Sequence, residues 1–276
     1  MKELRDKAIS FLSRLSKGHV LYVALIVVGF LFITAASQNL YSLQSEDTSA
    51  RSEYDSLREM FYASPGFSNI ISGHPATDSP SAEGAELPGT AQRHLSNGLS
   101  RPALPNPFAG LQELNPDFAG WISIADTDID YPIVQGSDNS YYLSTTFTGS
   151  QNPAGAIFMD YRIERGFDAP VSILYGHNMR NGSMFATLNE YIDPAFIEEH
   201  PDICIITPDG EVLVYRVFEA KRTDMWDTTY DIESMESSFA AIIEGAGNAN
   251  RFLLLSTCTP NADRSERMLV YAALVD

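Results

Sequence analysis

The sequence predicts a mainly β fold in which eight strands close into a barrel, with helices on the N-terminal side and one helix inserted before the seventh strand. Eight short segments after residue 105 are rich in the β-branched and aromatic residues that favour strands. Pro208-Asp209-Gly210 is a turn signal between two of them. Eight strands that close on themselves leave no exposed edge, which favours a small barrel. The predicted strands are Trp121–Ile124, Tyr131–Gln135, Gly155–Met159, Val171–Tyr175, Ile203–Thr207, Glu211–Lys221, Phe252–Thr257 and Met268–Val275.

The N-terminal segment predicts a membrane anchor. A basic tail covers residues 1–19, and residues 20–37 hold the charge-free apolar run Val20–Ala36. By the positive-inside rule the tail stays in the cytoplasm, so residues 20–37 would be a single-pass transmembrane signal anchor with the rest of the chain outside the cell. A cleaved signal peptide is the alternative, because Thr34–Ser37 offers small residues for cleavage, although signal-peptide apolar regions usually run about 7 to 15 residues.

Three regions follow the anchor. Residues 38–62 carry apolar side chains at near-helical spacing and predict a helical stalk. Residues 63–104 are rich in Ser, Pro, Gly and Ala, a composition that cannot bury enough apolar surface to fold, and they predict a flexible linker. Residues 105–276 form the folded domain. Its predicted helices are Pro107–Leu114, Met184–Tyr191, Pro194–Glu199 and Ile232–Glu244.

Charge and cysteine content exclude several classes of protein. A formal net charge of -18 argues against nucleic acid binding, because a phosphate binder needs a cationic face. The two cysteines, Cys204 and Cys258, permit at most one disulfide, so disulfides do not build the fold. Cys204 lies in a strand-like segment and is predicted to be a packed thiol. The sequence holds neither a clustered set of metal ligands nor a Gly-rich phosphate loop, so no metal or cofactor is expected.

The candidate chemistry lies at strand ends. Cys258 ends the apolar run Phe252–Cys258, and Arg267 stands at the start of the next one. Two strands joined by a short polar loop pair side by side, which would bring Arg267 close to Cys258. His177 follows a third predicted strand, in a Gly-flanked turn that exposes side chains. A Cys, a His and an Arg could serve as nucleophile, proton shuttle and oxyanion donor. The alternative is that Cys258 packs as a small buried hydrophobe.

Several motifs in this order resemble the sortases. The sortase-like motifs are LSTC at 255–258 with Arg267 downstream, and YGHN at 175–178. The motifs that resemble class B sortases are NPDFAGWI at 115–122, IDYPIVQ at 129–135, Asp138-Asn139 and Tyr141-Tyr142-Leu143. Together they extend the resemblance over roughly residues 105 to 276. The resemblance implies a sortase-type β-barrel and an enzyme held at the outer face of a Gram-positive cell membrane.

The resemblance also implies a cysteine transpeptidase. Cys258 would attack a carbonyl in the C-terminal sorting signal of a secreted surface protein or pilin, and an amine of peptidoglycan or of a pilin would then take the acyl group from the thioester. His177 would shuttle the protons, while Arg267 and the backbone N–H of Thr259 would stabilise the oxyanion. The implied partners are the signal peptide, the amine nucleophile and the lipid bilayer through residues 20–37, with no nucleic acid and no cofactor.

The resemblance also implies which residues of this chain form the peptide groove. The implied substrate-binding residues are Asn139, Leu143, Tyr175, Ser256 and Thr259, and the segment from Trp226 to Ile232 would form a groove rim. Thr259 departs from the acidic residue often found after the cysteine in this class. Arg264 is a rival for the arginine role, but it lies within the predicted loop, so Arg267 is preferred. Class B resemblance implies an Asn-Pro-x-Thr-like signal, whereas related enzymes recognise Pro-x-Thr-Gly variants.

Three functions remain open at this point. The first is transpeptidation, which would either anchor proteins to the cell wall or assemble pili. The second is a Cys-His peptidase that releases its acyl product to water through the same thioester. The third is a non-catalytic, membrane-tethered binding module in which Cys258 is merely buried.

Overall fold

The computed structural model describes residues 17–64, 108–164, 166–230, 249–260 and 265–275. Within them the chain forms a closed barrel of eight strands, which confirms the predicted mainly β fold. The strands are β1 (Phe118–Ser123), β2 (Asp130–Val134), β3 (Ile157–Met159), β4 (Val171–Tyr175), β5 (Asp202–Ile206), β6 (Val212–Asp224), β7 (Phe252–Cys258) and β8 (Glu266–Leu274). The α-helices are α1 (Lys17–Ala63), α2 (Ala109–Leu114) and α3 (Pro194–Glu199). Short 3-10 helices lie at Tyr141–Leu143, Gly166–Asp168, Ala186–Ile192 and Thr228–Tyr230.

The barrel mixes parallel and antiparallel pairs. Its strand order is β1-β2-β3-β4-β7-β8-β6-β5, and β5 pairs with β1 to close it. β2 pairs parallel with β3 and β4 parallel with β7, whereas the other neighbours are antiparallel. Because β4 and β7 run in the same direction, their C-terminal ends lie at the same rim of the barrel.

Strand β7 lies at the centre of the core because it is apolar on both faces. Leu253 and Leu255 face the main core, while Phe252 and Leu254 join a second cluster on the opposite face, built with residues of β4 and β8. Phe218 of β6 packs against this second cluster. The unbroken apolar run predicted a strand buried on both sides, and the burial of every residue from 252 to 257 agrees with that pattern.

Two strands are longer than the sequence pattern indicated. β6 continues past Lys221 to Asp224, and β8 begins at Glu266. The reason is their mutual pairing, because Thr223 and Asp224 of β6 lie opposite Arg267 and Glu266 of β8. Polar residues at the rim are therefore held in the ladder by backbone hydrogen bonds even though nothing apolar marks them as strand.

The chain divides into two compact units, residues 1–49 and 50–276. In the second unit the end of α1 packs on the barrel through one helical face. Its buried residues follow helical spacing: Ala50, Tyr54, Leu57 and Phe61. The Phe61 ring stacks on Trp121 of β1 with 4.0 Å between centroids. The hydroxyl of Tyr54 donates to the backbone oxygen of Gly155 at 2.6 Å. The second half of the stretch predicted as a stalk thus contributes to the core of this unit.

The predicted transmembrane anchor at residues 20–37, and with it the single-pass location with a cytoplasmic N-terminus, does not hold. Across the described residues, no helix combines the length and the apolar content that crossing a membrane requires. The charge-free run Val20–Ala36 has 17 residues, which rise about 26 Å in a helix, against about 30 Å for a bilayer core.

Other predictions fall where the structure describes little or nothing. The basic tail lies outside the described residues up to position 16, and so does the linker from residue 65 onward. The helix predicted at Ile232–Glu244 and the rival arginine, Arg264, also lie outside the described residues.

The stacking of Phe61 gives a test of the helix–barrel packing. Phe61→Ala is expected to lower the free energy of unfolding of the full chain by about 3 to 5 kcal/mol, because it removes a ring that is 1% exposed and leaves a cavity. The measurement is denaturant-induced unfolding. Met60→Ala, at a neighbouring side chain that is 43% exposed, is the control and should stay within about 0.5 kcal/mol of the wild type. Equal losses in the two variants would contradict the packing.

Candidate active site

Cys258 and Arg267 face each other across two paired strands. Cys258 is the last residue of β7, and the antiparallel register sets it directly opposite Arg267 of β8. Cys258 is half-buried, and its thiol is free. The side-chain amide of Asn189 donates to the backbone oxygen of Cys258 at 3.3 Å, which holds the end of the strand from the other side. Arg267 donates to the backbone oxygen of Glu266 at 3.1 Å.

His177 reaches the same rim from β4. The parallel pairing of β4 with β7 continues one step past the strand end, where the Gly176 N–H donates to the Ser256 oxygen at 3.2 Å. The turn after it folds back on itself, since the Phe185 N–H donates to the His177 oxygen at 2.9 Å. The imidazole Nε2 lies 2.7 Å from the backbone oxygen of Leu143. A carbonyl oxygen only accepts, so Nε2 carries a proton in this contact.

Gly176 is required by close packing next to His177. A Cβ at this position would lie 2.5 Å from the Ile157 Cδ1 and 2.7 Å from the ring of Phe185. Phe185 is fully buried and Ile157 belongs to β3, so neither group can move far. A larger residue before the histidine would therefore have to displace the Ile157 side chain or the Phe185 ring.

A cleft of about 410 Å³ joins these three residues. It is lined by Asn139, Leu143, Phe158, Tyr175, Gly176, His177, Met225, Tyr230, Ser256, Thr257, Cys258 and Arg267. All three predicted catalytic residues and four of the five predicted substrate-binding residues therefore share one cavity. In the part of the chain that the structure describes, no group of three or more His, Cys, Asp or Glu side chains is arranged to hold a metal ion.

Thr259 is the predicted site residue that does not line the cleft. It is 5% exposed, and its N–H donates to the Glu266 oxygen at 3.4 Å. Its hydroxyl donates to the Glu266 carboxylate. The β7–β8 ladder thus continues one step beyond Cys258 and turns both donors of Thr259 toward Glu266. An oxyanion role for this N–H would require it to leave that partner.

Tyr230 joins the cleft from the segment that follows β6. Its hydroxyl lies 2.8 Å from the Ser256 Oγ, and its ring stacks on Tyr175 at 6.3 Å. Burial raises the pKa of Tyr230 to about 12. Burial, reinforced by the nearby Asp160 carboxylate, also raises the pKa of Tyr175. Both phenols therefore keep their protons at neutral pH. Trp226, which the resemblance placed with Tyr230 on a groove rim, is 79% exposed and does not line the cleft.

Asp160, which sequence reasoning missed, lies beneath the cleft just after β3. It is fully buried, and it accepts hydrogen bonds from Arg162, Tyr175 and Asn139. The only signal in the sequence is an acidic residue directly after the apolar strand Ile157–Met159. That pattern is common at strand ends, because polar residues often follow a buried strand, so it could not single out Asp160.

The second thiol lies away from the cleft. Cys204 is in β5, opposite Ser123 of β1, and it is half-buried. Burial raises the pKa of the Cys204 thiol, although a hydrogen bond with Ser123 partly offsets the effect. Cys204 therefore behaves as a packed thiol.

Comparisons with known proteins point to one family. A family model described as "Sortase domain" matches residues 122–275. The chain is 37% identical over 180 residues to sortase B of Listeria monocytogenes, covering 60% of this chain and 72% of that protein. It is 29% identical over 181 residues to sortase B of Staphylococcus aureus, covering 61% and 74%. The solved Staphylococcus aureus sortase B–substrate complex matches with a TM-score of 0.60 at 26% identity, covering 84% of this chain and 99% of that one.

The different surroundings of the two thiols predict different reactivity. Iodoacetamide is expected to label Cys258 at least about tenfold faster than Cys204 in the folded chain, because Cys258 lines an open cleft while burial raises the pKa of Cys204. Mass spectrometry of the labelled peptides measures both rates. The fast labelling should persist in Cys204→Ala and should disappear in Cys258→Ala. A Cys258 that resists the reagent would mean that it is only a packing residue.

The crowding at Gly176 predicts a loss of stability. Gly176→Ala is expected to lower the free energy of unfolding by about 1 to 3 kcal/mol, because the added methyl group overpacks against Ile157 and Phe185. Denaturant-induced unfolding of the full chain measures it. Gly29→Ala is the control, since a Cβ there meets nothing within 4 Å. An unchanged stability for Gly176→Ala would show that the turn has room to move.

Proposed function

From the premise that this chain belongs to the sortase family and is a sortase B-type cysteine transpeptidase, we propose that it cleaves a sorting signal near the C-terminus of secreted proteins and transfers the acyl part to an amine. The observation that carries the proposal is the convergence of Cys258, His177 and Arg267, from three strand ends, on one cleft at one rim of the barrel. A nucleophile, a proton shuttle and a fixed cation in one cavity suit acyl transfer.

In the first half of the reaction the Cys258 thiolate, whose proton has passed to His177, attacks the scissile carbonyl carbon. Negative charge then develops on the carbonyl oxygen, and the Arg267 guanidinium stabilises it. His177 gives a proton to the departing amine as the C–N bond breaks, which leaves a thioester on Cys258. The short contact of the His177 Nε2 with the Leu143 oxygen holds the imidazole at the wall of the cleft.

In the second half an amine replaces the thiolate. Its nitrogen attacks the thioester carbonyl, His177 accepts the proton that the nitrogen loses, and the C–S bond breaks to free Cys258. The same histidine therefore acts first as an acid and then as a base. The proposed amine belongs to a peptidoglycan precursor or to a pilin subunit. The resemblance to class B sortases supports either source.

The cleft walls suit an extended peptide with an apolar centre. Leu143, Phe158 and the stacked pair Tyr175–Tyr230 supply apolar surface, and Asn139 supplies an amide that can pair with a peptide bond or with an Asn side chain. An Asn-Pro-x-Thr-like signal matches these features, because its proline needs apolar contact and its other side chains need hydrogen bonds. The similar Staphylococcus aureus structure is that of sortase B in complex with its substrate, which supports a substrate-binding role for the cleft.

The proposal is tested by product analysis. The full chain is incubated with peptides of the form Asn-Pro-x-Thr, with and without triglycine or a diaminopimelate-containing amine, and products are identified by mass spectrometry. We expect a new amide that contains the added amine and an acyl adduct on Cys258. Cys258→Ala should lower the rate by roughly a thousandfold or more, and Arg267→Lys should lower kcat by about a hundredfold.

Controls separate the competing outcomes. Arg216→Ala removes an arginine on the outer face of β6 that pairs with Asp202, and it should leave the rate unchanged. If only the hydrolysis product forms, whichever amine is offered, the Cys-His peptidase is favoured over the transpeptidase. Undiminished cleavage by Cys258→Ala would end the proposal.

A further inference from the structure

The Asp160 carboxylate is fully buried and accepts five hydrogen bonds. We call this carboxylate together with its donors the hub. The Arg162 guanidinium makes a two-point (forked) contact with the carboxylate: its Nε donates to Oδ1 at 2.9 Å, and its Nη2 donates to Oδ2 at 2.7 Å. The backbone N–H of Arg162 donates to Oδ1 at 3.0 Å. The Tyr175 hydroxyl donates to Oδ2 at 2.9 Å, and the Asn139 side-chain amide donates to the same oxygen at 3.0 Å. One carboxylate thus gathers side chains from three separate segments.

Two of these partners, Asn139 and Tyr175, line the cleft, whereas Arg162 does not and reaches it only through Tyr230. Asn139 lies between β2 and β3, and Tyr175 ends β4. Arg162 also donates to the backbone oxygen of Tyr230 at 3.3 Å, and so it ties down the segment after β6. Tyr230 in turn contacts Ser256 of β7. The hub therefore links the cleft walls to one another from below.

The hub also fixes the direction of the Asn139 amide. Its nitrogen donates to Asp160, and its oxygen accepts from the Tyr161 N–H at 3.1 Å. An amide group has two N–H donors and two lone pairs on its oxygen. One donor and one lone pair remain for a peptide in the cleft, and they point in set directions.

The charge state of the hub is stable near neutral pH. Burial alone would raise the pKa of Asp160, but the hydrogen bonds from Arg162, Tyr175 and Asn139 hold that pKa below its usual value. The carboxylate is therefore ionised throughout the neutral range. A buried carboxylate with fewer donors would be costly, so the hub holds its partners firmly.

We propose that Asp160 is the positioning residue of the peptide-binding cleft: it fixes Asn139 and Tyr175 directly and the Tyr230 segment through Arg162. The inference rests on the proposed function, and it adds a determinant of substrate binding to it. Asp160 does not line the cleft, and it forms no hydrogen bond or ion pair with Cys258, His177 or Arg267. It acts on how tightly the peptide is held and not on bond making.

The test separates binding from chemistry. Asp160→Asn keeps the shape of the side chain, but an amide N–H₂ group replaces one carboxylate oxygen. Because this group is itself a donor, it cannot accept the hydrogen bonds that the oxygen accepted. We expect the KM for Asn-Pro-x-Thr peptides to rise about tenfold, which corresponds to losing one well-placed hydrogen bond, while kcat changes less than about threefold. Arg162→Lys keeps the charge without the fork and should give a smaller rise. Iodoacetamide labelling of Cys258 should stay within twofold of the wild type.

Arg216→Ala is the matched control. The Arg216 fork on Asp202 has the same chemistry, with contacts of 2.9 and 3.1 Å, but it lies on the barrel exterior. It should leave KM unchanged. A fall in kcat at constant KM in Asp160→Asn, or the same effect in both variants, would overturn the inference.

A second measurement needs no substrate, so it stands even when no peptide is cleaved and the proposed function fails. Amide hydrogen exchange is compared across residues 136–143 and 225–230 in the full chain. Asp160→Asn should speed exchange in both segments at least about tenfold relative to Arg216→Ala, because their shared anchor is gone. Unchanged exchange in both segments would show that Asp160 does not position them.

Discussion

The register of β7 between β4 and β8 is the constraint on which the cleft depends. Backbone hydrogen bonds on one edge place Cys258 opposite Arg267, and those on the other edge bring the His177 turn alongside. Because β7 is buried on both faces, a shift by one residue would exchange its two apolar sets and break both packing layers. The three groups are therefore positioned by main-chain geometry and core packing, without needing direct bonds to one another.

A polar layer supports this arrangement from below. The chain as a whole is strongly acidic, with a net charge of -18, yet two arginines lie at or near the cleft: Arg267 lines it, and Arg162 contacts Tyr230 in its wall. Arg162 is balanced by the buried Asp160, and Asp160 in turn holds Tyr175 and Asn139. The fold thus separates two tasks. Strand pairing sets the reacting groups, and a hydrogen-bonded carboxylate sets the surfaces around them.

Much of this could be predicted from sequence because the decisive signals are local. The run Phe252–Cys258 is apolar enough to mark a strand buried on both faces, and a short connection to Arg267 implies pairing. The role of Asp160 could not be predicted, since its donors come from segments that only the closed barrel brings together. The orientation of Thr259 toward Glu266 likewise depends on the ladder extending one step past Cys258. Hydrophobic periodicity indicated a helix near residues 54–61 but could not name the surface it covers.

The way α1 meets the barrel bears on where this protein can be divided. Trp121 and Phe108 lie under the Phe61 ring, and the Tyr54 hydroxyl satisfies the Gly155 carbonyl. A fragment cut at residue 105, where the sequence motifs begin, would present these aromatic faces to water and invite aggregation. The smallest piece that carries its own complete core starts near Ala50, so boundaries chosen for expression or crystallisation belong within the helix and upstream of the motifs.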